Sequence, residues 1–109
     1  MAQFDVHRNT GRQNQTIPFV VVVQSSLYDH YRRRVVVPLV CKNALTDSTM
    51  LHATRINPLF TIDGIEVVLH PLEIVSIALE QLGVKITSLA EAGNLITDAL
   101  DELLTQVWK

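Results

Sequence analysis

Two valine-rich stretches decide the fold: Phe19-Val20-Val21-Val22-Val23-Gln24-Ser25 and Arg33-Arg34-Val35-Val36-Val37-Pro38-Leu39. Such short apolar runs, rich in β-branched residues, are typical of strands that are buried on both faces. We therefore predict one strand over 17–24 and another over 32–39, joined by a turn or loop over 25–31. Because proline cannot donate to a strand ladder, Pro38 predicts that the second strand ends at a sheet edge or a bulge.

Shorter strand signals lie on both sides of this pair. Residues 3–7 alternate apolar and polar side chains, and the polar stretch 9–15 that follows is typical of a hairpin loop. Within 61–69, the dipeptide Asp63-Gly64 stands between apolar flanks, which is the strongest short hairpin signal in the chain. Residues 73–79 fit either a buried strand or a helical turn, with Gly83 ending that element, and 84–87 fit one further strand.

The C-terminal segment has helical periodicity. Ser88-Leu89-Ala90-Glu91 matches a capping box, and apolar residues then recur at helical spacing as far as Val107. Gly93 weakens this helix by about 1 kcal/mol relative to alanine without interrupting the pattern. Several strands followed by one terminal helix predict a β-rich α+β fold in a single domain over residues 1–109.

Composition excludes several classes of protein. Valine, leucine and isoleucine supply roughly a third of the 109 residues, far more than a disordered chain carries. Neither a membrane span nor a signal peptide is predicted, and the single Cys41 allows no internal disulfide, so we expect a cytoplasmic protein. The formal charge of −2 argues against a protein that coats nucleic acid.

No catalytic or metal-binding pattern stands out. The four histidines, at 7, 30, 52 and 70, are widely spaced, and we expect neither a metal nor another cofactor. Cys41 follows an apolar strand, as a buried small hydrophobe does more often than a nucleophile. Ser25, Ser26, Asp29 and His30 lie too close together in sequence for a hydrolase triad, and the G-x-S-x-G elbow is absent.

Two features have both a structural and a functional interpretation. Arg32-Arg33-Arg34, the only dense charge cluster, either flanks the start of a strand or binds phosphate, RNA or an acidic partner. Trp108, the only tryptophan, either packs back on the domain or anchors a partner.

The whole chain resembles the CcdB toxins of bacterial toxin–antitoxin modules. The resemblance begins at Gln3-Phe4-Asp5-Val6 and is strongest over the two valine-rich strands. In that family, a strand ending in V-Q-S, a short loop and an arginine-led strand ending in P-L occur at this spacing. Asn57-Pro58 before a hairpin and the closing helix with Asn94, Ala99 and Asp101 also fit.

The resemblance implies a small barrel-type, SH3-like antiparallel sheet with a C-terminal helix, assembled as a homodimer. Such toxins bind the A subunit of DNA gyrase without catalysis, trap its cleaved complex with DNA, and meet nucleic acid only indirectly. A cognate antitoxin wraps them and removes them from gyrase, and the three clustered arginines are expected to meet this acidic antitoxin. The implied gyrase-binding surface comprises two loop residues and the end of the helix: Leu27, Tyr28, Asp101, Thr105, Gln106, Val107, Trp108 and Lys109.

The C-terminus departs from the family pattern, which usually ends in Gly-Ile. Here Gln106-Val107 or the final Lys109 stands in place of that pair. A side chain at the glycine position obstructs close approach of the backbone to a partner. The altered terminus leaves open an inactive relative that keeps only antitoxin binding or transcriptional regulation. Because ribonuclease toxins share the fold that the resemblance implies, an endoribonuclease toxin that uses Arg32–Arg34 with His30 or Asp29 also stays open.

Overall fold

The computed structural model describes residues 2–44 and 55–105, in which seven strands form one antiparallel sheet. The strands are β1 (Asp5–Asn9), β2 (Phe19–Val22), β3 (Arg33–Cys41), β4 (Leu59–Ile62), β5 (Ile65–Leu69), β6 (Val75–Ala78) and β7 (Leu82–Ser88). Their order is β4-β5-β3-β2-β1-β7, and β6 also pairs with β3. The sheet curls into a half-barrel closed by one C-terminal helix, α1 (Gly93–Thr105), which confirms the predicted sheet-rich α+β class.

The two valine-rich segments are strands, as predicted, and they lie in the centre of the sheet. β2 pairs with β3 in a register that places Val21 opposite Val37, and both side chains are fully buried in the main core. Val22 and Val36 face the other way and pack in a second cluster with Ile77 and Leu82. Both faces of this strand pair are therefore covered, which explains why the sequence shows continuous apolar runs there.

Pro38 lies neither on an edge strand nor at a register shift between the paired strands, so the expectation of an edge or a bulge was wrong. β3 has neighbours on both sides, and Pro38 is buried opposite Val20 of β2. On its other side, β3 pairs with β6 over 33–36 and with β5 over 39–41. The proline thus occupies the point where one partner strand replaces the other, and its carbonyl accepts a bond from the His70 backbone amide.

The Asp63-Gly64 hairpin is confirmed. It joins β4 to β5, with Ile62 opposite Ile65. The φ angles of Asp63 and Gly64 are 55° and 79°, and two successive positive values are typical of the type I′ turn that matches strand twist.

Two strands, β6 and β7, precede the helix. Residues 75–78 are a strand, so β6 settles the choice left open for 73–79. Gly83 lies inside β7 rather than ending an element. A Cβ atom at Gly83 would collide with the backbone carbonyl of Arg8, because β7 approaches β1 closely there. The Gly83 carbonyl also lies 2.9 Å from Nδ1 of the buried His7.

The terminal helix begins later than the capping box predicted. The Ser88 hydroxyl accepts a bond from the Ala90 amide, and a 3-10 turn over Ala90–Ala92 precedes α1. Gly93 at the start of α1 is buried, and a Cβ there would lie 2.5 Å from the ring of Phe4. Ile96 and Ala99 insert into the main core, so α1 covers the open side of the half-barrel.

Candidate functional site

The most exposed apolar side chain among the described residues lies on a short turn after β2. A 3-10 turn over Ser26–Tyr28 leaves Leu27 79% exposed and Tyr28 51% exposed. The Ser25 hydroxyl accepts a bond from the Leu27 amide. The Gln24 side chain spans the loop, because its Nε2 donates to the Tyr28 carbonyl and its Oε1 accepts from the Val35 amide. The Gln-Ser pair therefore builds the turn.

Three aromatic rings gather on this loop. The rings of Tyr28 and Tyr31 have centroids 6.2 Å apart, and those of His30 and Tyr31 are 4.4 Å apart. Both tyrosines are more than half exposed. Such exposed rings are suited to partner contact, because they supply a large apolar area at a small cost in conformational entropy.

The three clustered arginines have different environments. Arg32 has an 88% exposed side chain, and its guanidinium lies 3.7 Å from a carboxylate oxygen of Glu80. Arg33 is also at the surface but donates to both the hydroxyl and the carbonyl of Ser76, at 2.8 and 2.6 Å. These two residues supply positive charge to the surface beside the loop.

Arg34 does not belong to that exposed patch, because it is only 3% exposed. Its guanidinium donates to the carbonyls of Tyr31, Arg33 and Asp29, at 2.6, 2.9 and 2.9 Å. Its Nε lies 3.7 Å from the Asp29 carboxylate. Arg34 therefore fixes the backbone of the loop and is not available as a surface contact for an antitoxin.

A pocket of about 380 Å³ opens between the loop and the start of β3. It is lined by Gln24, Tyr28, Tyr31, Arg32, Arg33 and Val35. The sequence analysis missed Tyr31 and Gln24 as site residues. A usable signal was present in the spacing, since two tyrosines three residues apart stand next to the arginine run.

The helical part of the predicted gyrase surface lies on a different element from the loop. Asp101 and Thr105 are exposed on the last turns of α1, where the Thr105 hydroxyl donates to the Asp101 carbonyl. The predicted contacts Gln106, Val107, Trp108 and Lys109 lie outside the described residues.

The histidine, cysteine and acidic side chains within 2–44 and 55–105 have the following arrangement. Those residues contain no group of three or more His, Cys, Asp or Glu side chains arranged to hold a metal ion, and His52 lies outside them. Ser25 caps the turn, and the Asp29 carboxylate faces Arg34. Cys41, at the end of β3, is a partly buried free thiol.

No helix in the described part of the chain is both long and apolar enough to cross a membrane.

Fold and surface together define a small half-barrel domain that presents an aromatic, arginine-flanked loop. A family model described as CcdB protein matches residues 3–106, nearly the whole chain. The chain therefore belongs to the CcdB family, whose members are toxins of toxin–antitoxin modules, and the predicted resemblance is confirmed.

A solved structure supports the fold independently. It is described as an endoribonuclease in complex with its cognate antitoxin from Mycobacterial species. The likeness has a TM-score of 0.73 at 16% sequence identity, and it covers 100% of this chain and 99% of the other. At this identity the likeness concerns the fold alone. Comparison with curated proteins finds no significant match.

Proposed function

We propose that this protein is a cytoplasmic toxin that binds the A subunit of DNA gyrase, traps the cleaved gyrase–DNA complex, and is neutralised by a cognate antitoxin. The observation that carries the proposal is the exposure of Leu27 and Tyr28 on the turn after β2, the loop at which the resemblance to the CcdB toxins implies a gyrase contact. An apolar side chain that is 79% exposed contributes little to the fold, whereas it gains substantially when a partner covers it.

The gyrase contact is tested by substitution on the turn. We expect Leu27→Asp to fold normally and to lose capture of purified gyrase A subunit, together with growth arrest on expression. Val84→Asp is the matched control, because Val84 is 65% exposed on β7, which β1 separates from β2 in the sheet. Equal capture by both variants would remove Leu27 from the site, and failure of the unmodified protein to capture gyrase would refute the proposed target.

A homodimer is part of the proposal. Four apolar residues lie exposed between the Pro71–Glu73 turn and the start of the 3-10 turn that follows β6: Leu72, Ile74, Val75 and Leu79. The start of this stripe lies beside α1. A domain of this size gains stability by covering such a stripe, and a two-fold axis would bury two copies at once.

The antitoxin partner is expected at the positively charged side of the loop. Arg32 and Arg33 are the exposed members of the arginine cluster, and an acidic segment would pair with them. Arg34 contributes indirectly, since it holds the carbonyls that shape the loop. In this proposal, the protein contacts nucleic acid only indirectly, through gyrase or the antitoxin.

An endoribonuclease toxin is the second candidate, favoured by the structural neighbour, which is an endoribonuclease. His30 is exposed on the loop and would serve as its acid–base residue. Against it, the Arg34 guanidinium is bonded to loop carbonyls and lies against Asp29, so it is not aimed at a substrate. Incubation of purified protein with mixed RNA separates the two, because cleavage that His30→Ala abolishes would replace the gyrase proposal.

An inactive relative is the third candidate, motivated by the altered C-terminus. It predicts tight antitoxin binding without gyrase capture or growth arrest. The same capture and growth experiments therefore separate it from an active toxin.

A further inference from the structure

The pocket beside the loop offers an apolar interior with few free polar groups. Both polar ends of the Gln24 amide are bonded within the chain, and the Arg33 guanidinium is bonded to Ser76. The rings of Tyr28 and Tyr31 and the side chain of Val35 line the rest. A volume of about 380 Å³ lies near the lower end of the usual range for ligand sites, roughly 300–1,000 Å³.

Two arginines line this pocket, and Arg32 pairs with a charged side chain at the surface. Arg32 and Glu80 are 3.7 Å apart, with side chains 88% and 67% exposed. A surface ion pair of this kind is weak, because water and salt screen both charges. A carboxylate from a partner can therefore replace Glu80 at little cost.

We propose that this pocket receives an aromatic or long aliphatic side chain from an acidic peptide segment, while a neighbouring carboxylate of that segment pairs with Arg32. Assigning the segment to the antitoxin rests on the proposed function. A single-stranded nucleic acid fits less well, since its phosphates require several free cations. Here two arginines line the pocket, and the chain is acidic overall.

A nuclear magnetic resonance titration of the full ¹⁵N-labelled chain tests the pocket directly. The probe is the blocked peptide acetyl-Glu-Asp-Trp-Leu-Glu-Asp-amide. We expect it to shift the backbone amides of the residues that line the pocket, with saturation at one peptide per chain. A peptide with Ser-Ser in place of Trp-Leu, and another with amides in place of the carboxylates, should each bind about tenfold more weakly.

Matched variants test separately the contribution of Arg32 and that of the apolar pocket. Arg32→Glu should weaken the peptide about tenfold. Arg12→Glu makes the same charge change on the exposed loop at the opposite end of β2, and it should change affinity less than about twofold. Tyr31→Ala should also weaken binding about tenfold, because it removes a wall of the pocket yet keeps the backbone carbonyl that Arg34 holds. Circular dichroism confirms that each variant is folded.

Three results would overturn the inference. The first is a shift map centred away from the pocket, or none at millimolar peptide. The second is displacement of the peptide by an eight-residue oligouridylate at equal concentration, which would assign the pocket to RNA. The third is a dimer that Tyr31→Ala dissociates, which would assign the pocket to a second copy of the chain. Gyrase capture is scored separately, so either proposal can fail while the other stands.

Discussion

Replacing Arg34 by methionine tests whether the loop is held by one buried guanidinium. Methionine keeps most of the apolar stem but removes three donated bonds, to the carbonyls of Tyr31, Arg33 and Asp29. A bond from a charged donor contributes roughly 1.5–3 kcal/mol when buried. Tyr31 and Arg33 are exposed residues, so water would replace part of what their carbonyls lose. We therefore expect the free energy of unfolding to fall by about 3 kcal/mol.

Urea unfolding monitored by circular dichroism measures this change. With a slope of about 1–3 kcal/mol per molar urea, the midpoint should fall by roughly 1–3 M. All variants are compared at one protein concentration, because dimerisation would make the midpoint depend on it. The loop should also lose its shape, so gyrase capture through Leu27 should weaken even at concentrations of urea where the domain stays folded.

Arg32→Met is the matched control for Arg34→Met. The two arginines lie two positions apart, and the substitution removes the same charge from each. Because Arg32 is 88% exposed in a surface ion pair, its removal should cost less than about 0.5 kcal/mol. A loss below about 1 kcal/mol for Arg34→Met, or equal losses for both variants, would refute the assignment of Arg34 as the residue that holds the loop.

Three further substitutions probe the packing, the hairpin and the dimer. Gly93→Ala should lower the free energy of unfolding by about 1–2 kcal/mol despite better helix propensity, because the added Cβ collides with the Phe4 ring. Urea unfolding of Gly93→Ala in a Phe4→Leu background checks this contact, since the loss of stability caused by the alanine should be smaller there. Gly64→Val should cost about 1–2 kcal/mol and Gly64→Asn markedly less, since φ is +79° there and asparagine tolerates that region; similar midpoints for both would contradict the strain argument. Leu72→Glu should convert the expected dimer to a monomer in sedimentation velocity, whereas Val84→Glu should not, and an unmodified protein that is monomeric at micromolar concentration would exclude the dimer.

The central strands, the hairpin and the terminal helix could be predicted from the sequence, because each has a local cause. Continuous valines favour extended backbone whatever lies around them, and Asp63-Gly64 accepts two successive positive φ angles. Helical spacing placed Ile96 and Ala99 on the face that enters the core. The exposed pair Leu27 and Tyr28 was also anticipated, since its position in the loop follows from the resemblance to the family.

The positions that sequence reasoning misjudged depend on what another part of the chain brings near. Pro38 was expected at an edge or a bulge, but it lies where β5 replaces β6 as the neighbour of β3. The helix begins at Gly93 rather than at the capping box, and residue 93 must stay small because Phe4 packs against it. Neither neighbour can be identified from local pattern.

Residues Arg32–Arg34 show most clearly which properties follow from local sequence and which depend on tertiary packing. Three identical side chains in sequence carry the same charge and the same propensities, so local reasoning treats them as one cluster. Strand geometry turns Arg33 and Arg34 to opposite faces of β3, and the loop encloses Arg34, while Arg32 precedes the strand and stays in solvent. Composition and local pattern thus determined a valine-cored half-barrel with a closing helix. Which arginine holds the loop and which is left for a partner was decided by long-range packing, because burial depends on neighbours that are distant in sequence.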